Sequence, residues 1–174
     1  MYKMLDNNYN KILRELFNKP TYLFHARELA RITGLNPNTI TNITNKLEKE
    51  GLLKKHNRKH LVEIFLDLEN KKTIEKKRIF NLYNLYSSGI VEFLRRAYSP
   101  KLISIIGSYS RGEDIEKSDI DLVVDANNKT LVDLSKFEGI LRRKIHLILL
   151  PKKFSDEFFN NLINGIVLYG VIKK

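Results

Sequence analysis

Up to residue 100 the chain reads as helical stripes separated by breaks. In "NYNKILRELFN" (residues 8–18), Ile12, Leu13, Leu16 and Phe17 fall at the i, i+1, i+4, i+5 spacing of one helical face, and Pro20 stops the run. "FHARELARITG" predicts a second short helix, with Ala26, Leu29, Ala30 and Ile32 inward and Gly34 as its C-terminal cap. "NPNTITNITNKLEKEG" sets Asn36 at an N-cap and Pro37 at the first helical position, the arrangement that cap chemistry favours. Ile40, Ile43 and Leu47 form its predicted buried face and Gly51 closes it. "LLKKHNRKHLVEIFLDL" then reads as two strands around a polar turn at His56–Lys59.

Residues 71–98 form a long amphipathic stretch with Ile74, Phe80, Leu82, Leu85 and Ile90 among its apolar positions. Gly89 bends or divides it, and Ser99-Pro100 ends it. After that, strand and helix alternate: "KLISIIGS" and "SDIDLVVD" as strands, "TLVDLSKFEGILRR" as a helix, "KIHLILL" as a strand, "KKFSDEFFNNLIN" as a helix and "GIVLYG" as a last short strand. A segment of about 75 residues is near the lower limit for a self-sufficient core. The pattern predicts an α/β (α+β) protein of two domains, residues 1–70 and 101–174, joined by a helical linker over 71–100.

Helix, helix, tight turn, helix, hairpin is the order of a winged helix-turn-helix. Through "ARELARITGLNPNTITNITNKLEKEGLLKK", residues 8–68 resemble the winged-helix regulators of the MarR and ArsR type. The resemblance implies a third helix that enters the major groove of double-stranded DNA and a wing that touches its backbone or minor groove. The residues agree with it. Opposite Ile40, Ile43 and Leu47 the helix offers Asn38, Thr39, Thr41, Asn42 and Asn45. Asparagine can pair bidentately with adenine, and threonine can meet an acceptor or a thymine methyl. Lys46, Lys54, Lys55, Arg58 and Lys59 would meet phosphates. A polar face of this kind also serves in winged helices that act only as protein-contact or dimer modules, and that use stays open.

Composition sharpens this reading. Of 174 residues, 31 are Lys or Arg and 20 Asp or Glu, a net charge of +11. The excess is +4 up to residue 70, +5 over 71–100 and +2 beyond, so it lies toward the half that resembles a DNA reader. Such a balance favours a polyanionic partner, nucleic acid before membrane. There is no cysteine, which excludes disulfides and thiolate metal sites. The start lacks the apolar core of a signal peptide, and no apolar run approaches the roughly 20 residues needed to cross a bilayer. A soluble, cytoplasmic protein is expected, with a homodimer as one assembly the helical stretch could support.

The second half carries the chemistry. In "GSYSRGEDIEKSDIDLVV" (107–124), Asp119 and Asp121 are two apart and project from one face of a strand. Carboxylates so close raise each other's pKa unless a cation lies between them. Hard oxygens suit Mg²⁺, which completes its shell with water and substrate phosphates. Gly107-Ser108 permits a tight turn whose N–H groups and hydroxyl can hold a phosphate, and Arg111 can add a cationic fork. A phosphate cradle beside metal carboxylates describes a nucleoside triphosphate site.

The run Gly107, Ser108, Arg111, Gly112, Ser118, Asp119, Asp121, Leu122 and Val124 resembles the signature of the minimal nucleotidyltransferases of the DNA polymerase β superfamily, over residues 101–172. That resemblance implies that Gly107-Ser108, with Arg111 and Ser118, binds the nucleotide and that Asp119 and Asp121 hold two metals. An acceptor hydroxyl then attacks the α-phosphate and releases pyrophosphate. The family places a third carboxylate on a later strand. In "RRKIHLILLPKKF" that position falls on His146, with no acid in the strand. Imidazole is a poor Mg²⁺ ligand, although with an ordinary pKa near 6.5 it could act as general base. Two functions follow: a DNA-binding regulator whose second domain binds Mg-nucleotide, or an active Mg²⁺-dependent nucleotidyltransferase.

Overall fold

Residues 7–58, 61–128 and 130–172 are described in the computed structural model. They fall into two units, one reaching Lys77 and the other Arg78–Lys174. In the first unit, helix α1 (Asn8–Asn18) starts where the Asn7 carboxamide accepts the Asn10 N–H, and it buries Ile12, Leu13, Leu16 and Phe17. Helix α2 (Ala26–Thr33) ends at Gly34, whose φ of +69° is the left-handed cap the sequence requires. Helix α3 (Pro37–Lys49) is capped by Asn36, which accepts the Thr39 N–H at 2.8 Å.

Three details depart from the sequence pattern. Phe24–His25 is not the start of a helix. It forms strand β1, pairing with Ile64 and Glu63, a bond to distant chain that local periodicity cannot show. Accordingly α2 begins at Ala26, with Leu29 buried and Ile32 nearly half exposed. In α3 the buried stripe is Ile40, Thr44 and Leu47, and Ile43 is only half-buried. Thr44 tolerates burial because its hydroxyl donates to the Thr41 carbonyl at 3.2 Å. Strand β2 (Leu53–Arg58) pairs antiparallel with β3 (Leu61–Leu66), so His56–Arg58 belong to the strand rather than the turn. The sheet order is β1-β3-β2, a winged helix-turn-helix in full.

Helix α4 (Lys71–Ser88) and helix α5 (Ile90–Tyr98) meet at Gly89, whose φ of +82° divides the stretch as expected. Strand β4 (Leu102–Ile106) is buried along its length and leads into a five-residue helix, α6 (Gly107–Arg111), where the sequence reads as a turn. Strand β5 (Ile120–Asp125) follows. Helix α7 (Ser135–Leu141) is shorter than its pattern, because the Asp133 carboxylate accepts the Ser135 N–H and hydroxyl and fixes the start there. Strand β6 (Ile145–Leu149), helix α8 (Asp156–Ile163) and strand β7 (Ile166–Gly170) complete the unit.

The second sheet has the order β6-β5-β4-β7, with β5–β6 parallel and the other pairs antiparallel. One face carries Ile103, Ile105, Ile120, Leu122 and Val124 against Leu94, Phe137 and Leu141. The other carries Leu102, Ile106 and Val123 against Leu162 of α8. Asp121 shares the parity of Val123 and pairs with Ile106, so it belongs to this second face, while Asp119 lies just ahead of the strand. No helix among the described residues is long and apolar enough to cross a membrane.

Candidate functional site

Sheet topology gathers the site. Ile106 pairs with Asp121 across β4 and β5, and Asp121 pairs with His146 across β5 and β6. Three strands thus align the Gly107 turn, Asp121 and His146 in a row. Gly107 has φ +73°, and a Cβ on it would stand 2.7 Å from the Asp121 Oδ2. The glycine is required both by the backbone and by the carboxylate against it. Ser108 follows Gly107 in the first turn of α6, which is tied by the Ser110 hydroxyl donating to the Gly107 carbonyl at 2.7 Å.

His146 Nδ1 lies 3.0 Å from Asp121 Oδ1, with the imidazole 64% and the carboxylate 32% exposed. Asp119 is exposed just ahead of β5, after a turn in which the Ser118 hydroxyl accepts the Ile115 N–H at 3.0 Å. Arg111 is held at the surface by Glu113, Nε to Oε2 at 2.6 Å. Among the described residues no three acids or histidines are grouped as a metal cage. The oxygen donors, Asp121 and the nearby Asp119, suit a magnesium ion that arrives with a triphosphate and draws its remaining ligands from phosphate and water, whereas the imidazole is a poor ligand for it. The set does not suit a metal held by protein alone.

Behind this row lies a buried polar network that the sequence pattern did not reveal. Asn81 of α4 donates to the Asp114 carboxylate at 2.7 Å and to the Tyr109 carbonyl at 2.9 Å. Arg143, just ahead of β6, brings a guanidinium nitrogen to 3.7 Å from Asp114, both side chains almost wholly buried at 6% and 1% exposure. The Tyr109 hydroxyl is pushed well above its ordinary range, first by burial and then by the Asp114 charge. Asn81, one turn before the core residue Leu85, is a polar residue at a core position, and that was the available signal. On the outer side, Lys117, Ser118, Asp119, Glu138, Arg142 and Lys144 line an open cleft of about 640 Å³. There the Glu138 carboxyl is held below its usual range, first by the Ile145 N–H and then by Lys144 at 3.0 Å.

In the first unit, Asn38, Thr41, Asn42, Asn45 and Lys46 are exposed along α3, and Thr39 is half-buried. Several of the cations there have partners within the unit. Lys46 lies over the Tyr9 ring at 5.4 Å, Lys54 is 3.0 Å from Asp67, and Arg58 is 3.5 Å from Glu63. Lys55 meets Asn45 and Glu48. Lys59 lies outside the described residues. Lys49 and Asn57, both exposed on the same elements, were passed over by the sequence reading.

A winged helix-turn-helix, followed by a mixed sheet whose Gly-Ser turn abuts a strand aspartate, defines a chain with a domain of the DNA-binding winged-helix type ahead of a nucleotidyltransferase-fold domain. Residues 5–54 match the family described as "Winged helix-turn-helix DNA-binding", and residues 88–172 match "Polymerase beta, Nucleotidyltransferase". The chain belongs to the polymerase β nucleotidyltransferase family through this second domain, with the winged helix-turn-helix ahead of it. Over 85 residues it is 36% identical to a protein of Methanocaldococcus jannaschii named "Putative protein adenylyltransferase", a match covering 45% of this chain and 84% of that protein. No solved structure matches it significantly.

Proposed function

We propose that the protein is a DNA-binding regulator whose second domain takes up a magnesium-bound nucleoside triphosphate without transferring it efficiently. The observation that carries this reading is the 3.0 Å contact between His146 and Asp121. By the family resemblance, the imidazole stands where an acceptor hydroxyl would otherwise meet a third carboxylate, and the Gly107 turn lies beside Asp121 on the neighbouring strand. In this reading Ser108 and the N–H groups of the turn bind phosphate oxygens, and Arg111 exchanges Glu113 for a phosphate. Asp119 and Asp121 would hold the ion, which when bound neutralises phosphate charge. Loss of an anionic group at the reacting centre commonly lowers rate by orders of magnitude. α3 and the β2–β3 wing read DNA, and a homodimer would place two copies on half-sites about 10 base pairs apart.

A second reading keeps the transferase active, with His146 accepting the proton of a protein hydroxyl. The name carried by the Methanocaldococcus jannaschii relative favours it. Calorimetric titration of Mg·ATP and Mg·GTP into the full chain, with pyrophosphate followed in the same samples, separates the two. Binding that is lost in Asp119→Ala and Asp121→Ala, with no pyrophosphate, is expected. Pyrophosphate release abolished by the same substitutions would establish the second reading. Absence of nucleotide binding would refute both. For the DNA half, affinity for a selected duplex should fall steeply with salt.

A further inference from the structure

Asn45 and Lys55 meet where α3 faces the β2–β3 hairpin. The Lys55 ammonium donates to the Asn45 side-chain oxygen and lies 3.6 Å from Glu48 Oε2, with the lysine side chain only 13% exposed. Lysine has donors and no acceptor, so the atom it meets must be Oδ1. That fixes an amide whose two ends are otherwise interchangeable. Asn45 itself remains exposed, on a cleft of about 330 Å³ shared with Thr41, Lys55 and Asn57.

We infer that Lys55 is a positioning residue that sets the base preference of Asn45, so that Asn45 reads an edge of acceptors alone, guanine N7/O6 or thymine O4, in place of adenine, whose N7 acceptor lies beside the N6 donor. The inference rests on the DNA-binding reading above. An asparagine recognises adenine by presenting both ends together, Oδ1 accepting from N6 and Nδ2 donating to N7. With Oδ1 turned to the ammonium, Nδ2 leads, and it carries only N–H donors. The adjacent cation polarises the amide and strengthens those donors. Glu48 offsets the lysine charge, so this cation adds little to the general attraction for phosphate. Lys55 acts through Asn45.

The test is selection of duplexes from a random pool by the full chain, repeated with Asn45→Ala, Lys55→Met and Lys55→Arg, each first shown to melt like the wild type. The position read by Asn45 is the one whose preference vanishes in Asn45→Ala. Guanine or thymine is expected there in the wild type and in Lys55→Arg, with a shift of about tenfold toward adenine in Lys55→Met. Adenine selected there by the wild type overturns the inference, whether or not Lys55→Met folds. So does a Lys55→Met protein that keeps the preference but binds every sequence more weakly, with a salt slope shallower by about one, since that marks a phosphate contact. An unchanged consensus in Asn45→Ala overturns it and leaves DNA binding standing. A wild type that enriches no sequence refutes the DNA-binding reading itself.

Discussion

Asp114→Ala removes the carboxylate that faces Arg143 in a region almost closed to water. At 3.7 Å and an effective dielectric constant of about 20, the attraction between the two charges is about 4 kcal/mol. The Asn81 amide loses its 2.7 Å bond to the same carboxylate. Breaking a buried pair from one side costs about 3–5 kcal/mol, because the remaining charge stays buried without that counter-charge. Whole-domain stability is of order 5–15 kcal/mol. At roughly 4–8 °C per kcal/mol for a domain of this size, the second unit should melt at least about 12 °C lower. Thermal and urea unfolding of the full chain by circular dichroism reads this, with tyrosine fluorescence as a second probe. The double variant Asp114→Leu/Arg143→Met should recover most of the loss, since it buries no charge. An Asp114→Ala protein within about 1 kcal/mol of wild type, or a double variant no better than the single, would refute the reasoning.

Gly107→Ala forces an L side chain to φ +73° and its Cβ to 2.7 Å from Asp121; a loss of about 1–2 kcal/mol in melting experiments is expected from the backbone alone. The same variant should lose nucleotide binding by calorimetry. Asn36→Ala removes the cap that accepts the Thr39 N–H and should destabilise the first unit by about 1 kcal/mol in urea unfolding. Folding holds the Glu138 carboxyl below its ordinary 4.5, so its contribution is complete above about that pH and is lost as pH falls through the lower folded value. Glu138→Gln should therefore flatten the acid limb of the stability profile measured between neutral pH and 3, and an unchanged limb would exclude the Ile145 and Lys144 contacts as its source.

Caps and glycines made much of the fold legible. Asn36-Pro37, Gly34 and Gly89 each mark an element end, because their chemistry is local. Burial inside α3 was less legible: Ile43 outranks Thr44 in hydropathy, yet the helix turns Thr44 inward because its hydroxyl is satisfied by the preceding turn. β1 was invisible, since Phe24 and His25 take their strand geometry from β3, about forty residues away. In the site, the spacing of Gly107, Asp119 and Asp121 could be read directly. His146 was placed through the family resemblance, since alternation gives its face and only the sheet gives its pairing with Asp121. The network of Asn81, Asp114 and Arg143 could not be read. Its members come from three separated segments, and only Asn81, on the helical face of Leu85, carried a local sign of burial.

The Asp121–His146 register also bears on the charge balance between neighbouring strands. An aspartate at position 146 would face Asp121 across the same parallel pair, and two carboxylates at that spacing repel unless an ion joins them. A histidine there removes that repulsion, and its imidazole meets Asp121 at 3.0 Å. Histidine and aspartate codons differ by a single base, so a pair in direct contact and a pair of repelling carboxylates are neighbours in genetic distance.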